Sequence, residues 1–207
     1  MMTILVINSG SSSLKYGLYD IANEKQLLRG SFEDLDSTSG QGVAHAQAVR
    51  QVFELADREH RLAGVGHRVV HGGSIFPNAA RIDDLVLEQI RGLNQLAPLH
   101  NPACLLGIEM ALETAPALPQ VAVFDTAFFK GMPEYAWRYA LPKSLADSHQ
   151  VRRYGFHCIS HQYLTTKAAE YLGRPLESLR MISLHLGNGC SVTAVREGRA
   201  IDQSMGL

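Results

Sequence analysis

Two short stretches rich in small residues carry the first chemical signal. Ser9-Gly10-Ser11-Ser12-Ser13 follows the apolar run Ile4-Leu5-Val6-Ile7, and Gly187-Asn188-Gly189 follows Ile182-Ser183-Leu184-His185-Leu186. Such stretches gather backbone N–H groups and hydroxyls at one turn, and glycine lets the backbone approach an anion closely. Either one alone reads equally well as an ordinary hairpin turn, because turns favour the same residues. Neither is a Walker A loop: there is no G-x-x-x-x-G-K-[ST], and a strand rather than a helix is expected to follow. Their recurrence at equivalent places in two units predicts a pair of loops gripping the phosphates of one nucleotide.

Other residues add to this chemistry. Gly66-His67-Arg68-Val69-Val70-His71-Gly72-Gly73 brings an arginine to a strand end beside a Gly-Gly turn. A guanidinium there suits a carboxylate or phosphate, which it holds in a bidentate fork; the bland alternative is a surface ion pair. Asp125 ends the apolar run Val121-Ala122-Val123-Phe124, and in α/β sheets ligands gather at the carboxyl ends of strands. Among nine histidines, His157-x-x-x-His161 has the spacing of a helical metal pair. It lacks the Glu of H-E-x-x-H and an evident third ligand, so histidines donating hydrogen bonds to phosphoryl oxygens are the better reading.

The elements that must position these residues follow from periodicity. Thr3–Asn8 reads as a buried strand, and Leu14, Tyr16 and Leu18 alternate as a second. Gln26–Phe32 makes a third, and Ser37-Thr38-Ser39-Gly40 reads as a loop. Helices are predicted over 44–58, from Asp83 or Asp84 through Leu96, after Pro102 to about Thr114, and from a Ser160 cap to Leu172. Further strands are predicted at Val65–Val70, Gln120–Phe124, Met181–Leu186, Ser191–Arg196 and Ala200–Gln203. Residues 144–156 read as irregular. The strand, small-residue loop, strand, turn, strand pattern occurs at both ends of the chain, which argues a duplicated α/β unit. The second copy is followed by few residues, and a sheet needs a covering layer, so the chain reads as the front part of a longer one.

Composition bounds the partners. The 207 residues are 46% hydrophobic and 19% charged, and 19 basic side chains against 20 acidic give a net charge of -1. That is globular, and it provides no general field for nucleic acid or anionic lipid. The N-terminal run Met1–Asn8 has no basic lead and is too short for a signal peptide core or a membrane span. Cys104, Cys158 and Cys190 form no C-x-x-C pair and read as reduced thiols of a cytoplasmic protein.

Six motifs in order then carry a resemblance. These are Val6-Ile7-Asn8-Ser9-Gly10-Ser11-Ser12-Ser13-Leu14-Lys15, the Gly66–Gly73 stretch, Ala97-Pro98-Leu99-His100-Asn101-Pro102, Val123-Phe124-Asp125-Thr126-Ala127-Phe128, Arg153-Tyr154-Gly155-Phe156-His157 and His185-Leu186-Gly187-Asn188-Gly189. Over its whole length the chain resembles the acetate kinases, with the propionate kinases near relatives. The resemblance implies an α/β fold of duplicated ribonuclease-H-like domains, as in the actin and sugar-kinase superfamily. It sets residues 1–147 as the first domain, on the acyl substrate side. Residues 148–207 would begin a second, incomplete domain on the nucleotide side.

The resemblance further implies reversible ATP-dependent phosphorylation of acetate to acetyl phosphate, with Mg²⁺ or Mn²⁺ and a homodimeric parent. Asn8 would meet the metal. Ser11, Ser13, Lys15, His185 and Gly187-Asn188-Gly189 would meet the nucleotide phosphates. Arg68 would hold the carboxylate, with Val70, Leu99 and Phe156 around the methyl group. Asp125 would position the acceptor, and His157 would hydrogen-bond the phosphoryl group in flight. The chain departs from the family's usual Phe-His-Gly-Thr-Ser-His at Cys158 and Ile159, from Thr-Ala-Phe-His at Phe129, and has Cys190 where serine is commoner. A second arginine, an adenosine-binding segment and a glutamate for the metal would lie past Leu207. The alternatives are a propionate kinase, a non-catalytic pairing fragment with an uncovered apolar sheet face, and a histidine metallohydrolase.

Overall fold

The computed structural model describes residues 2–35, 42–58 and 60–206. The loop expected at Ser37–Gly40 lies outside them. The chain forms two compact units, 1–75 with 79–123, and 76–78 with 124–207.

The first unit is built on a six-stranded sheet of order β3-β2-β1-β4-β6-β5. Its strands are β1 (Thr3–Ser9), β2 (Leu14–Asp20), β3 (Lys25–Phe32), β4 (Leu62–Val69), β5 (Ala80–Arg81) and β6 (Gln120–Phe124). β1, β2 and β3 form an antiparallel meander, and β4 runs parallel to β1. Helices α1 (Val43–Asp57) and α3 (Asn101–Thr114) pack on each other, and α3 lies on β1 and β4. Between them Leu5, Ile7, Leu14, Leu18, Val49, Val52, Phe53, Val65 and Ala111 form the core. The apolar run Ile4–Ile7 predicts a strand buried on both faces. Instead burial alternates, with Leu5 and Ile7 inside and Val6 38% exposed, because α1 and α3 cover one face.

Helix α2 (Asp84–Gly92) starts as expected, with the Asp83 carboxylate accepting from the Val86 N–H at 2.8 Å. It ends earlier than predicted, at Gly92, and residues 93–96 tighten into a 3₁₀ turn. The two-residue β5, paired antiparallel to β6, is too short to leave a periodic signal.

The second unit contains α4 (Glu134–Trp137), α5 (Lys143–Ser148) and α6 (Cys158–Leu172), and an antiparallel sheet β7-β8-β9. Its strands are Arg180–Leu186, Cys190–Arg196 and Arg199–Gln203. The compact units break at 123/124 rather than at 147/148. Phe129, Met132 and Ala136 share a core with Cys158 and Ala200, which ties residues 124–148 to the later sheet. Residues 144–156 read as irregular, but Lys143–Ser148 is helical. α6 begins at Cys158 with His157 as its N-cap, three residues before the Ser160 cap predicted from sequence.

The small sheet is inverted relative to ordinary amphipathic patterning. Ser183, Ser191 and Thr193 are buried, whereas Ile182 (63% exposed), Leu184 (52%) and Leu186 (76%) face outward. α6 packs on β7, so the polar face is the covered one.

Candidate functional site

In the first unit the register gathers three of the expected residues. Asn8 pairs with Lys15 across β1 and β2, and Ile7 pairs with His67 across β1 and β4. Alternation therefore puts Asn8, Lys15 and Arg68 on one sheet face, at the carboxyl ends of β1 and β4. Arg68 Nη1 donates to Asn8 Oδ1 at 3.3 Å. Half-buried Val70 lies two residues on from Arg68.

The serine loop beside them is held from several directions. The Gly10 N–H donates to the Ser13 carbonyl at 2.7 Å, and the Leu35 N–H donates to the Ser12 carbonyl at 2.9 Å. His45 Nε2 donates to the Gly10 carbonyl at 2.8 Å, which fixes the proton on that nitrogen. Gly107 of α3 lies against Ser9: a Cβ there would come within 2.6 Å of the Ser9 Cβ. Ser11 is exposed, Ser13 is half-buried, and Ser9 Oγ is buried with no hydrogen-bond partner among the described residues.

The histidines around Arg68 are braces. His67 points to the opposite face and bonds Gln120 Oε1 at 2.8 Å, and burial pushes its pKa down to about 4. His71 Nδ1 accepts from the Gly73 N–H at 2.9 Å, so its proton sits on Nε2. Burial likewise pushes its pKa down to about 4. Asn101, fully buried at the start of α3, accepts from the His71 N–H and donates to the His71 carbonyl, both at 3.0 Å. That double clasp ties α3 to the turn after β4. Leu99, expected in an acyl pocket, is 77% exposed on the turn that precedes α3.

The second unit gathers Asp125, His157, His185 and the Gly187-Asn188-Gly189 turn. Asp125, 3% exposed, follows the end of β6. Its Oδ2 accepts from the His157 N–H at 3.2 Å, and its carbonyl accepts from the Cys158 N–H at 3.0 Å. His157 has φ 64°, a left-handed conformation that an L-residue adopts only with support. Gly155 before it has φ 77°, and a Cβ there would sit 2.7 Å from the Phe129 ring. Half-buried Phe156 adjoins His157, and its carbonyl accepts from Gln203 Nε2 at 2.6 Å.

The His157 and His185 rings stack with centroids 4.1 Å apart. A Cβ on Gly189 would lie 3.3 Å from His157 Nε2, and one on Gly187 would lie 3.7 Å from His185 Nε2. Asn188, between them, is exposed. The Gly189 contact is tight, so the His157 edge would have to give by a few tenths of an ångström, whereas the Gly187 contact is ordinary. His157 stands outside the helix as its cap, so His157 and His161 are not the i, i+4 helical pair that the spacing suggests. Both ring nitrogens of His161 face seryl hydroxyls.

Sequence reasoning missed His161, Ser160, Ser183 and Ser191 as a connected group. The available signal was period two: Ser183 and His185 on β7 and Ser191 and Thr193 on β8 alternate with apolar residues. Cys158, where the resemblance leads to the expectation of glycine, is buried, and its Sγ accepts from the Phe128 N–H at 3.3 Å. Burial pushes its thiol up to about 11, which makes it inert.

Comparison with known proteins decides the family. The model of the Acetokinase family matches residues 3–207. The chain belongs to the Acetokinase family. It is 49% identical to an acetate kinase of Arthrobacter sp. (strain FB24), over 100% of this chain and 56% of that protein. It is 48% identical to an acetate kinase of Ectopseudomonas mendocina (strain ymp), over 99% and 56%. Among solved structures it resembles Porphyromonas gingivalis acetate kinase, with a TM-score of 0.91, 39% identity and coverage of 100% of this chain and 58% of that one. It also resembles a propionate kinase from Francisella tularensis, with a TM-score of 0.90, 38% identity and the same coverage. The chain thus spans between half and two thirds of the length of these acetokinase relatives. The duplicated α/β architecture read from the two loop motifs is the fold of these neighbours, and the second unit carries its three-stranded part. Among the described residues no helix is long and apolar enough to cross a membrane.

Proposed function

We propose that this acetokinase chain carries the carboxylate-binding and phosphoryl-stabilising residues of an acetate kinase. The reaction is reversible, in-line transfer of the ATP γ-phosphoryl group to acetate, giving acetyl phosphate and ADP. The observation that carries this reading is Arg68 beside Asn8 at 3.3 Å, at adjoining strand ends next to the serine loop. A planar cation there can take a carboxylate in two parallel hydrogen bonds.

The chemistry asks little of a general base. Acetate is ionised at neutral pH, since carboxyl groups titrate near pH ~4. What is required is alignment and neutralisation of the equatorial phosphoryl oxygens. In this reading Arg68 orients the nucleophile, with Val70, Leu99 and Phe156 around its methyl group. Lys15, Ser11, Ser13, His185 and Gly187-Asn188-Gly189 meet the nucleotide phosphates. His157 donates to the phosphoryl group as it moves. Asp125 acts by fixing the His157 backbone. The protein acts as a cytoplasmic homodimer.

The donors present suit a divalent ion that arrives with the nucleotide. Among the described residues no cluster of three His, Cys, Asp or Glu could hold a metal. The Asn8 amide oxygen and seryl hydroxyls are oxygen donors of the kind Mg²⁺ accepts alongside phosphate oxygens and water, as Mn²⁺ also can. When bound, the ion would offset the phosphate charge.

Trapping acetyl phosphate with hydroxylamine tests the reading. The chain completed to the length of its relatives is expected to form it from acetate, ATP and Mg²⁺, faster than it forms propionyl phosphate. One methylene discriminates by only about 1–3 kcal/mol, so a reversed preference would make it a propionate kinase. Absence of either product would overturn the assignment. The 207-residue chain alone is expected to turn over far below the usual kinase range of roughly 1–100 s⁻¹.

A second reading has its own observation. The outward apolar face of β7 and β8, bearing Ile182, Leu184 and Leu186, fits a chain that associates through that face.

A further inference from the structure

A continuous hydrogen-bonded chain links a buried serine to His157. Ser183 Oγ lies 2.9 Å from His161 Nδ1, and His161 Nε2 lies 2.7 Å from Ser191 Oγ. Ser191 Oγ in turn lies 2.9 Å from His157 Nδ1. His161 is fully buried, and Ser183 and Ser191 are 8% and 2% exposed. Every link in this chain is a hydroxyl or an imidazole, so the supply of donors and acceptors constrains its direction.

Two directions are internally consistent. A neutral imidazole has one N–H and one lone-pair nitrogen, and a hydroxyl has a single proton. If His161 donated from Nδ1 to Ser183, Ser191 would donate to His161 and then accept from His157 Nδ1. His157 would then present a bare Nε2. If Ser183 donates to His161 Nδ1, the order reverses. His161 Nε2–H donates to Ser191, Ser191 donates to His157 Nδ1, and His157 carries its proton on Nε2.

The far end decides between them. Among the described residues the Ser183 hydroxyl has one hydrogen-bond partner, His161 Nδ1. Thr193, its cross-strand neighbour, makes no hydrogen bond through its buried Oγ1. As an acceptor, Ser183 would leave its own proton stranded in a buried site. As a donor it leaves only lone pairs unmet, which proteins tolerate better. His161 stays neutral because burial, with the two neighbouring imidazoles, pushes its pKa down to about 4.

We propose that Ser183, His161 and Ser191 are positioning residues that fix His157 in the Nε2–H tautomer, making it a hydrogen-bond donor while uncharged. Among the groups facing His157 are the stacked His185, the Asp125 carboxylate on its backbone N–H, Ser191 and the Gly189 turn. His185 Nδ1 is itself held by Ser160 Oγ at 2.9 Å. The stacked His185 ring leaves the His157 Nε2 edge beside the Gly189 turn. The use of that donor, toward a phosphoryl oxygen, rests on the reaction proposed above; the tautomer itself does not.

The test is histidine-ring ¹⁵N NMR on the 207-residue chain labelled with ¹⁵N-histidine, at a pH where the rings are neutral. Long-range ¹H–¹⁵N correlations assign each nitrogen as protonated or bare. His157 and His161 are both expected to be protonated on Nε2 and bare on Nδ1. Ser183→Ala removes the donor that polarises the chain, so His157 should shift toward a mixture of tautomers although Ser183 does not touch it. Ser183→Thr should restore the native pattern. A native His157 protonated on Nδ1 overturns the proposal, and so does a folded Ser183→Ala chain with an unchanged His157 pattern. If Ser183→Ala does not fold, the native spectrum alone decides. Turnover is not needed for this result, so it stands or falls separately from the acetate kinase reading.

Discussion

Removing the Asp125 carboxylate should loosen the segment that carries His157. The carboxylate is 3% exposed and accepts the His157 N–H at 3.2 Å, while His157 holds φ 64°. A hydrogen bond to a charged acceptor contributes about 1.5–3 kcal/mol. Asp125→Ala forfeits that bond and leaves a left-handed residue, itself strained by roughly 1–2 kcal/mol in either chain, without its anchor. For a chain of this size each kcal/mol moves the melting midpoint by about 2–4 °C, so a fall of roughly 3–12 °C is expected. Circular dichroism melts measure it, and amide exchange at His157 and Cys158 should accelerate in step. Asp125→Asn keeps an acceptor oxygen and should lose about half as much, since neutral hydrogen bonds contribute ~0.5–1.5 kcal/mol. His157→Gly added to Asp125→Ala should recover part of the loss, because glycine takes the left-handed conformation freely. An Asp125→Ala chain that melts with the native one, or a His157 amide whose exchange is unchanged, would refute the anchoring role.

Further expectations follow from other parts of the molecule. His67, His71 and His161 are all pushed down to about 4 by burial, against about 6.5 in the unfolded chain. Above the unfolded value they cost nothing. As pH falls toward 4 the unfolded chain takes up protons that the folded one refuses. Urea midpoints should therefore decline between pH 6.5 and 4, with a shallower decline in His67→Gln. Gly107→Ala would press a methyl to 2.6 Å from Ser9 Cβ and should cost about 1–3 kcal/mol by overpacking, read as a lower urea midpoint. The native chain should self-associate by light scattering, and the Ile182→Lys, Leu184→Lys double variant should shift it toward monomer; unchanged mass would argue against pairing through that face.

Periodicity and punctuation revealed most of the fold. The β1–β2 and β7–β8 hairpins and the helices at 43–57 and 101–114 follow directly from alternation, heptad-like spacing and the Gly/Pro stops. The misplaced start of α6 has a physical cause. Ser160 has the right chemistry for a cap, but Asp125 holds the His157 and Cys158 N–H groups and starts the helix sooner. That contact joins residues 32 positions apart, beyond any local rule. The position of the unit boundary was hidden for a similar reason, since Phe129, Met132 and Ala136 look like any apolar segment until they pack on Cys158 and Ala200.

The candidate site divides the same way. Arg68 stood out by its place at a strand end, while Asn8 and Lys15 came only with the family resemblance; the register that puts the three on one face appears in the fold. The motifs also named Asp125, His157, His185 and the glycine turn. Asn101 and His45 were not legible as braces, because their roles are hydrogen bonds to the backbone of distant turns. The inverted polarity of the small sheet was visible as alternation, yet which face is covered depends on where α6 packs.

Acetate kinetics of Arg68→Ala, in the chain completed to the length of its relatives, test the central claim most directly. Loss of a bidentate, charge-assisted contact of about 3 kcal/mol or more should lower kcat/KM for acetate by at least about a hundredfold, while the KM for ATP changes little. Native kcat/KM for acetate in that variant would contradict the assignment of Arg68 to the carboxylate, and with it the account of how this chain binds its acceptor.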